Sequence, residues 1–409
     1  MIAVSAAPVA ADPVTLRPVV SRHGWQLDVS GYVQADVIAY SQLSADEVAT
    51  DGTLLNEQRF LIRRGRVRID AQRDALSAAI ELDGNTVNGA TARLVAANVG
   101  WRFQRSTDVL PLVALTAGLF KTPFGVEVPA SERDKAFLEP PAFARAFVPG
   151  SYDAGVMAQG AYGIARWAVA VLNGAPSGDA RWNGKDPTAS HDVIGRVGAN
   201  IEGPRKLRVE VGVSAIAGEG LHPGTPQTKD ELQWVDENQD GLVQSTELQV
   251  VPGATATASK TFERKALGAD LQVHWCICRL GNGTAFAELA LGTNLDRGVI
   301  YADPVAVSRD YRELGFAVGV VQDLGDHAQA GVRYDRYDGD RDVNERLGVT
   351  TVGENKVFST LSVMAAGRWH DARLVVQYDH ERNPFGRADN GMPITREADR
   401  LTLRAQVGF

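Results

Sequence analysis

The strongest constraint on the fold is an alternation of apolar and polar residues with a period of two. Between Trp25 and Ala39 every second residue is apolar or glycine, and the residues between them include Gln26, Asp28 and Gln34. Successive side chains of a β-strand point to opposite faces, so this pattern predicts a long strand with one apolar side. The same alternation recurs over 193–202 and 205–217. Helical spacing does not compete with it for more than a turn or two, so the chain is predicted to be all-β.

Turn signals divide the chain into sixteen predicted strands, and the connections between them alternate in length. In an up-and-down barrel one rim carries short turns and the other long loops, and an even strand number closes the sheet antiparallel. The pattern therefore predicts a 16-stranded antiparallel transmembrane β-barrel with short periplasmic turns and long extracellular loops. The predicted strands lie near 25–40, 57–70, 74–83, 91–103, 111–120, 153–162, 164–173, 191–202, 205–217, 260–275, 284–295, 311–322, 326–337, 355–368, 371–381 and 398–409, and the long loops at 41–56, 121–152, 174–190, 218–259, 296–310, 338–354 and 382–397.

Composition is compatible with such a barrel. The mean hydropathy of −0.15 is as low as that of a soluble protein, which is expected when apolar and polar faces alternate. The sequence contains no run of 18 or more apolar residues, so no transmembrane helix is predicted. The net charge of −8 gives no general basic field, so no nucleic-acid partner is predicted. The only cysteines, Cys276 and Cys278, stand two apart and are predicted to be free thiols.

Both ends of the chain are compatible with export to the bacterial outer membrane. Residues 1–11 are small and apolar, and they are either the tail of a signal peptide or a free mature end. The last predicted strand ends on Phe409, in phase with its apolar face, which resembles the insertion signal of bacterial outer-membrane proteins. We therefore predict an N-terminal segment, 1–24, followed by a single barrel domain, 25–409. Tryptophans near predicted strand ends suit a bilayer interface, namely Trp25, Trp101, Trp167, Trp275 and Trp369.

Three segments carry a further pattern: FLIRRGRVRID at 60–70, AGLFKTPFGVEVPASERDKAFLEPP at 117–141 and YDAGVMAQGAYG at 152–163. In that order they resemble the phosphate-selective porin family, the porins O and P. The resemblance implies a trimeric barrel of sixteen strands that passes small anions. It also implies that the third long loop, 121–152, folds into the lumen as a constriction loop.

Basic residues in these segments predict an anion pathway. Arg64, Arg66 and Arg68 share one face of a predicted strand, while Leu61 and Val67 lie on the other, so the three arginines would form a ladder in the pore. Only 8 of the 42 basic residues are lysines, and guanidinium groups suit oxyanions. The alternative is that these arginines pair with lumenal carboxylates. The predicted pathway comprises Arg64, Arg66, Arg68, Lys121, Arg133, Lys135 and Arg145.

The long loop 218–259 contains DENQDGLVQSTE at 236–247, which fits the EF-hand loop pattern in full. Gly241 permits the sharp turn at position six, but Pro252 precludes a complete exiting helix, so the motif is an isolated loop. The alternative is an acidic solvated loop. Bound Ca²⁺ would brace the loop or bridge lipopolysaccharide phosphates; no organic cofactor is predicted. The predicted Ca²⁺ ligands are Asp236, Asn238, Asp240, Leu242, Gln244 and Glu247.

No enzyme motif stands out, because the histidines are dispersed and GNGTA at 281–285 lies in a predicted turn without the Lys-Ser/Thr of a phosphate loop. Three functions stay open. The first is an outer-membrane porin that passes phosphate or related oxyanions by passive diffusion. The second is a general or carbohydrate-type diffusion porin, and the third is a secreted calcium-binding β enzyme or adhesin. We favour the first, with small anions, outer-membrane lipid and lipopolysaccharide as partners and a homotrimer as the assembly.

Overall fold

The barrel is visible in a computed structural model that describes residues 20–42, 58–87, 89–104, 110–179, 181–182, 185, 187–277, 279–342, 356–387 and 393–409. Sixteen strands form one closed antiparallel sheet, in which each pairs with its neighbour along the chain and the last strand closes the ring on the first. Closure leaves no barrel strand with a free edge. The predicted fold class and strand number are confirmed. The barrel strands are β2 (Trp25–Gln42), β3 (Gln58–Arg73), β4 (Leu76–Asn85), β5 (Thr91–Phe103), β6 (Val113–Lys121), β7 (Tyr152–Tyr162), β8 (Ala165–Leu172), β9 (Asp192–Glu202), β10 (Arg208–His222), β13 (Lys260–Ile277), β14 (Gly281–Thr293), β15 (Arg312–Leu324), β16 (Ala328–Asp338), β17 (Val357–Trp369), β18 (Ala372–Arg387) and β19 (Pro393–Gly408).

The remaining elements are short. Strand β1 (Val20–Arg22) pairs with β2, and β11 (Glu231–Trp234) pairs with β12 (Leu248–Val251) in a separate hairpin. The helices are α1 (Ala142–Phe147) and α2 (Pro304–Val307), with 3-10 turns at Pro204–Lys206 and Ser245–Glu247. No helix in the described ranges is long and apolar enough to cross a bilayer. The N-terminal residues 1–11 and Cys278 lie outside the described residues.

The two faces of the barrel wall differ in polarity. On β13, Leu267 and Leu271 are exposed on the outside, whereas Ala266 and Asp270 beside them are buried inside. The same alternation of exposed aliphatic side chains runs around the sheet. A soluble β protein would turn polar side chains outwards, so this apolar outer face opposes the secreted alternative.

The connections define two rims, as the sequence predicts. Short connections such as 163–164 and 370–371 lie on the turn rim, and long ones such as 122–151 and 223–259 lie on the loop rim. The tryptophans of the predicted girdle belong to the ends of strands at the turn rim. Rings at a single level suit one bilayer interface. These tryptophans are Trp25, Trp101, Trp167, Trp275 and Trp369.

The predicted orientation of Leu61 is wrong. Arg63 is an extra residue in β3, because consecutive residues of β2 pair with Arg64 and Ile62. This bulge reverses the alternation, so Leu61 is buried inside the barrel and Phe60 is exposed on the outer wall. The prediction for the arginines after the bulge is unaffected.

Two predicted connections are also wrong. GNGTA at 281–285 is not a turn, because β14 begins at Gly281. The predicted loop 382–397 is largely strand, because β18 continues to Arg387 and β19 begins at Pro393. A β-bulge between Asn383 and Gly386 accommodates the turn-type residues there, and the Asn383 side chain accepts a hydrogen bond from a backbone N–H two residues on.

Candidate functional site

The segment between β6 and β7, residues 122–151, lies inside the barrel and is here named the constriction loop. The N–H of Glu127 donates to Glu288 Oε2 on β14 at 3.1 Å, and the N–H of Leu138 donates to Gln377 Oε1 on β18 at 2.9 Å. Because β14 and β18 stand in the wall opposite β6, these bonds require the loop to cross the lumen. The loop therefore narrows the path through the barrel.

An apolar anchor, defined by Phe143 and Phe147 of α1, holds the second half of the constriction loop. Both rings are completely buried, and Phe147 packs edge-on against Tyr337 with ring centroids 6.0 Å apart. The wall provides Gly292 and Gly315 opposite the rings, and a Cβ on Gly315 would lie 2.2 Å from Phe143 Cβ. Burying one phenylalanine contributes about 1.5–3 kcal/mol, so the anchor fixes α1 against the wall.

The predicted arginine ladder lies on the inner face of β3, and each of its guanidinium groups makes an ion pair. Arg66 Nη1 lies 3.0 Å from Glu81 Oε1, and Arg68 Nη1 lies 2.9 Å from Glu81 Oε2. Arg64 Nη2 lies 3.0 Å from Glu132 Oε2 of the constriction loop. Pairing with lumenal carboxylates, the alternative stated above, is thus present at all three positions. The assignment of the ladder to the anion pathway stays a prediction.

The carboxylate of Glu132 brings strand and loop cations together. Lys135 Nζ lies 3.1 Å and Lys121 Nζ 3.9 Å from its Oε1, while Arg64 contacts the other oxygen. Lys135 also pairs with Glu127 at 3.5 Å. Burial alone would raise the pKa of Glu132, but Lys135, Arg64 and Lys121 hold it below its ordinary value. In the described part of the chain these three cations form their ion pairs with two carboxylates, those of Glu127 and Glu132.

The two other predicted pathway residues do not join the group around Glu132. The guanidinium of Arg133 lies against the backbone of Gly408, where an added Cβ would be 2.4 Å from Nη2. Arg145 is exposed, whereas the other residues of α1 are buried in the apolar anchor.

Two tyrosines that the sequence prediction did not include flank Arg66. Its guanidinium carbon lies 5.9 Å from the ring centre of Tyr32 and 6.0 Å from that of Tyr152. The ammonium of Lys121 lies 5.5 Å from the Tyr152 ring. These distances allow cation–π attraction. Tyr32 occupies a polar-face position of the first predicted strand, so the alternation could have identified it. Tyr152 is the first residue of β7, directly after the constriction loop, and nothing local indicates which cation it meets.

The predicted calcium loop forms the tip of the β11–β12 hairpin. Gly241 has the positive φ of 71° that the sharp turn requires, and Asp236 accepts hydrogen bonds from the N–H groups of Asp240 and Gly241. Glu247 accepts a 3.0 Å bond from Trp234 Nε1. Among the described residues no group of three or more His, Cys, Asp or Glu side chains is arranged to hold a metal ion. Calcium binding therefore stays a prediction.

Titration with Ca²⁺ is expected to show one weak site, with a dissociation constant of about 0.1–1 mM, as in extracellular calcium modules. Isothermal titration calorimetry measures it. The double change Asp240→Ala and Glu247→Gln should remove the signal, because it deletes three potential oxygen ligands. Glu237→Gln is the matched control, since it removes a charge from a non-ligand position of the same loop. Equal binding by the double variant and the control would refute the site.

A closed barrel of sixteen strands with a loop folded into its lumen is the architecture of porins. Among solved structures, the outer membrane channel DcaP of Acinetobacter baumannii matches with a TM-score of 0.60 at 11% identity, over 96% of this chain and 100% of that one. An anion-selective porin from Comamonas acidovorans matches with a TM-score of 0.52 at 10% identity, over 94% and 100%. The trimer form of OmpT from Vibrio cholerae gives 0.51 at 10% identity, over 94% and 100%. At these identities the likeness shows the fold.

The family comparison adds sequence support to the fold. The model of the phosphate-selective porin O and P family matches residues 30–194, which include the three segments that carry the resemblance. The predicted resemblance is confirmed. No curated protein matches the sequence. The family match and the outer-membrane channels of the same fold indicate the bacterial outer membrane as the location. The fold is that of channels, and the absence of catalysis stays a prediction.

Proposed function

We propose that this chain is a passive diffusion channel for small anions, with phosphate and related oxyanions as the preferred solutes. The observation that carries the proposal is the convergence of Arg64, Lys121 and Lys135 on Glu132 at the edge of the constriction loop. Three cations beside two carboxylates leave a positive potential in the narrow part of the lumen, which attracts anions and repels cations.

The arrangement suits oxyanions more than a bare row of charges would. A guanidinium that already shares a carboxylate is held in place, yet it keeps further N–H donors for a passing phosphate oxygen. Arg66 and Arg68 are both held by Glu81, one on each carboxylate oxygen. Binding of an anion is then weak enough for release, as conduction requires. The match to the phosphate-selective family over 30–194 supports the same solute class.

A second candidate is a general or carbohydrate-type diffusion porin. The pairing of Arg66 and Arg68 with Glu81 favours it, because neutralised charges produce little selectivity.

The reversal potential of the purified channel in a planar bilayer across a chloride gradient tests the proposal. We expect a clear anion preference, followed by a fall in chloride current when phosphate is added to both sides. A weakly selective current without phosphate block would assign the channel to the general class. A cation-selective current would contradict both the excess positive charge and the proposed solutes.

We also propose a homotrimer in contact with outer-membrane lipid and lipopolysaccharide. The trimer form of OmpT, which shares the fold, supports the assembly. The exposed aliphatic outer face supports the lipid contact.

A further inference from the structure

We infer that Arg333, Arg373 and Arg404 are positioning residues that hold one arm of the constriction loop by its main-chain carbonyls and thereby set the width of the pore. The arm is defined as residues 135–139. None of the three arginines belongs to the predicted anion pathway. The inference rests on the proposed channel function, but it does not depend on which ions the channel prefers.

Arg373 on β18 provides the clearest contact. Its Nη1 donates to the carbonyl of Lys135 at 2.7 Å, and its Nη2 donates to the carbonyl of Ala136 at 3.2 Å. One planar guanidinium therefore spans two successive carbonyls of the arm. In the described chain no carboxylate forms an ion pair with Arg373, and its other acceptor is the amide oxygen of Gln329 at 3.2 Å. The contacts of this side chain are thus directed at the loop and do not compensate its charge.

The other two arginines continue the same pattern along the arm. Arg404 on β19 donates to the carbonyl of Leu138 at 3.2 Å, and Arg333 on β16 donates to the carbonyl of Glu139 at 2.8 Å. The guanidinium of Arg333 also lies 4.9 Å from the ring centre of Phe137. Four of the five carbonyls of the arm accept from the wall, and the fifth residue contributes its ring.

The side chain of Glu139 connects the end of the arm to β3 and β19, which lie on either side of β2 in the barrel wall. Arg63 Nη2 lies 2.6 Å from Glu139 Oε2, and Arg404 Nη2 lies 3.4 Å from Oε1. Burial would raise the pKa of Glu139, but the guanidinium groups of Arg63, Arg64 and Arg404 lower it to about 2. The carboxylate is therefore ionised and paired at neutral pH.

This geometry separates two roles of arginine. A guanidinium that acts only by its charge can be replaced by lysine, whereas a fork that reaches two carbonyls cannot, because lysine carries a single ammonium group. Each carbonyl bond to a charged donor favours the docked arm, so its loss should change the ratio of docked to released loop by roughly tenfold to a hundredfold. A released arm moves in the lumen and interrupts the current.

Single-channel recordings of the full chain with Arg373→Lys test the inference. We expect discrete sub-levels whose occupancy exceeds that of the wild type by roughly tenfold to a hundredfold, with the reversal potential unchanged because the net charge is unchanged. Arg368→Lys is the matched control. It lies on the neighbouring strand and pairs with Asp323 at 3.5 Å instead of with the loop.

If the Arg373→Lys channel shows no more sub-levels than the wild type, the inference is wrong, because a positive charge alone would then be enough to hold the arm. Equal sub-levels in Arg368→Lys would overturn it as well, since that side chain does not hold the arm. If Arg373→Lys does not fold, Arg333→Lys is recorded instead; it removes the guanidinium that donates to the carbonyl of Glu139 at 2.8 Å and should also produce sub-levels. If the wild-type channel shows no anion preference, the proposed solutes are wrong. The comparison of sub-levels between Arg373→Lys and Arg368→Lys still tests the positioning role.

Discussion

Replacing Arg64, Arg66 and Arg68 together by glutamine is expected to turn the channel from anion preference to cation preference. Glu81 would remain on the inner face of β4 without either of its arginine partners, and Glu132 of the constriction loop would keep only Lys121 and Lys135. One unit charge about 4 Å away contributes about 1 kcal/mol in water, so three charges together should shift the permeability ratio by roughly a hundredfold. The sign of the reversal potential across a chloride gradient measures the change.

Two variants control this experiment. The triple change to lysine keeps all three charges and should keep the anion preference, whereas Glu81→Gln removes a negative charge and should strengthen it. Because Arg66 is deeply buried beside Glu81, the triple glutamine variant can fail to fold; Arg68→Gln, with a side chain 18% exposed, then provides a weaker shift of the same sign. A reversal potential that stays constant in all these variants would remove the ladder from the ion path.

Replacing Phe143 and Phe147 together by alanine is expected to release the constriction loop from the wall. Each ring is completely buried, and truncating a buried phenylalanine costs about 3–5 kcal/mol. The barrel itself should persist, because its closed ladder of hydrogen bonds does not involve α1. We expect a larger and noisier single-channel conductance and rapid tryptic cleavage within residues 122–151, after Arg133, Lys135 or Arg145.

The matched control is Phe60→Ala together with Phe103→Ala. These rings are 79% and 48% exposed on the outer wall, so the same chemical change is made without touching the loop. Conductance and proteolysis should then stay as in the wild type. If the Phe143 and Phe147 variant also keeps the wild-type conductance, the apolar anchor does not position the loop.

The strands of the barrel wall could be predicted from the sequence, because the alternation of side chains along a strand is a local property. Each residue of a strand needs only its neighbours along the chain to choose a face, so sixteen strands and the inward position of Arg64, Arg66 and Arg68 follow from the pattern. Turn residues likewise separate short connections from long ones. Leu61 is an exception to this rule. The bulge at Arg63 reverses the alternation, so the pattern alone predicted the wrong face for Leu61.

The candidate site was only partly predictable. Basic residues in the third long loop and on β3 indicated where cations gather, and Lys121, Lys135 and Arg64 do meet at Glu132. Their pairing depends on contacts between residues far apart along the chain, which no periodicity encodes. The bonds from Arg373 to loop carbonyls are harder still to foresee, because the acceptors are backbone atoms that every residue carries.

The sequence by itself determined the strand number, the two faces of the wall and the loop that narrows the lumen, since each follows from local alternation, turn chemistry or a family motif. Only the tertiary structure decided which charged side chains pair with each other. Glu81 pairs with Arg66 and Arg68, and Glu132 pairs with three cations. The physical reason is that the electrostatic energy of a charge depends on its distance to partners in space. Those distances exist only once β19 has closed the ring on β2 and the loop has folded inside.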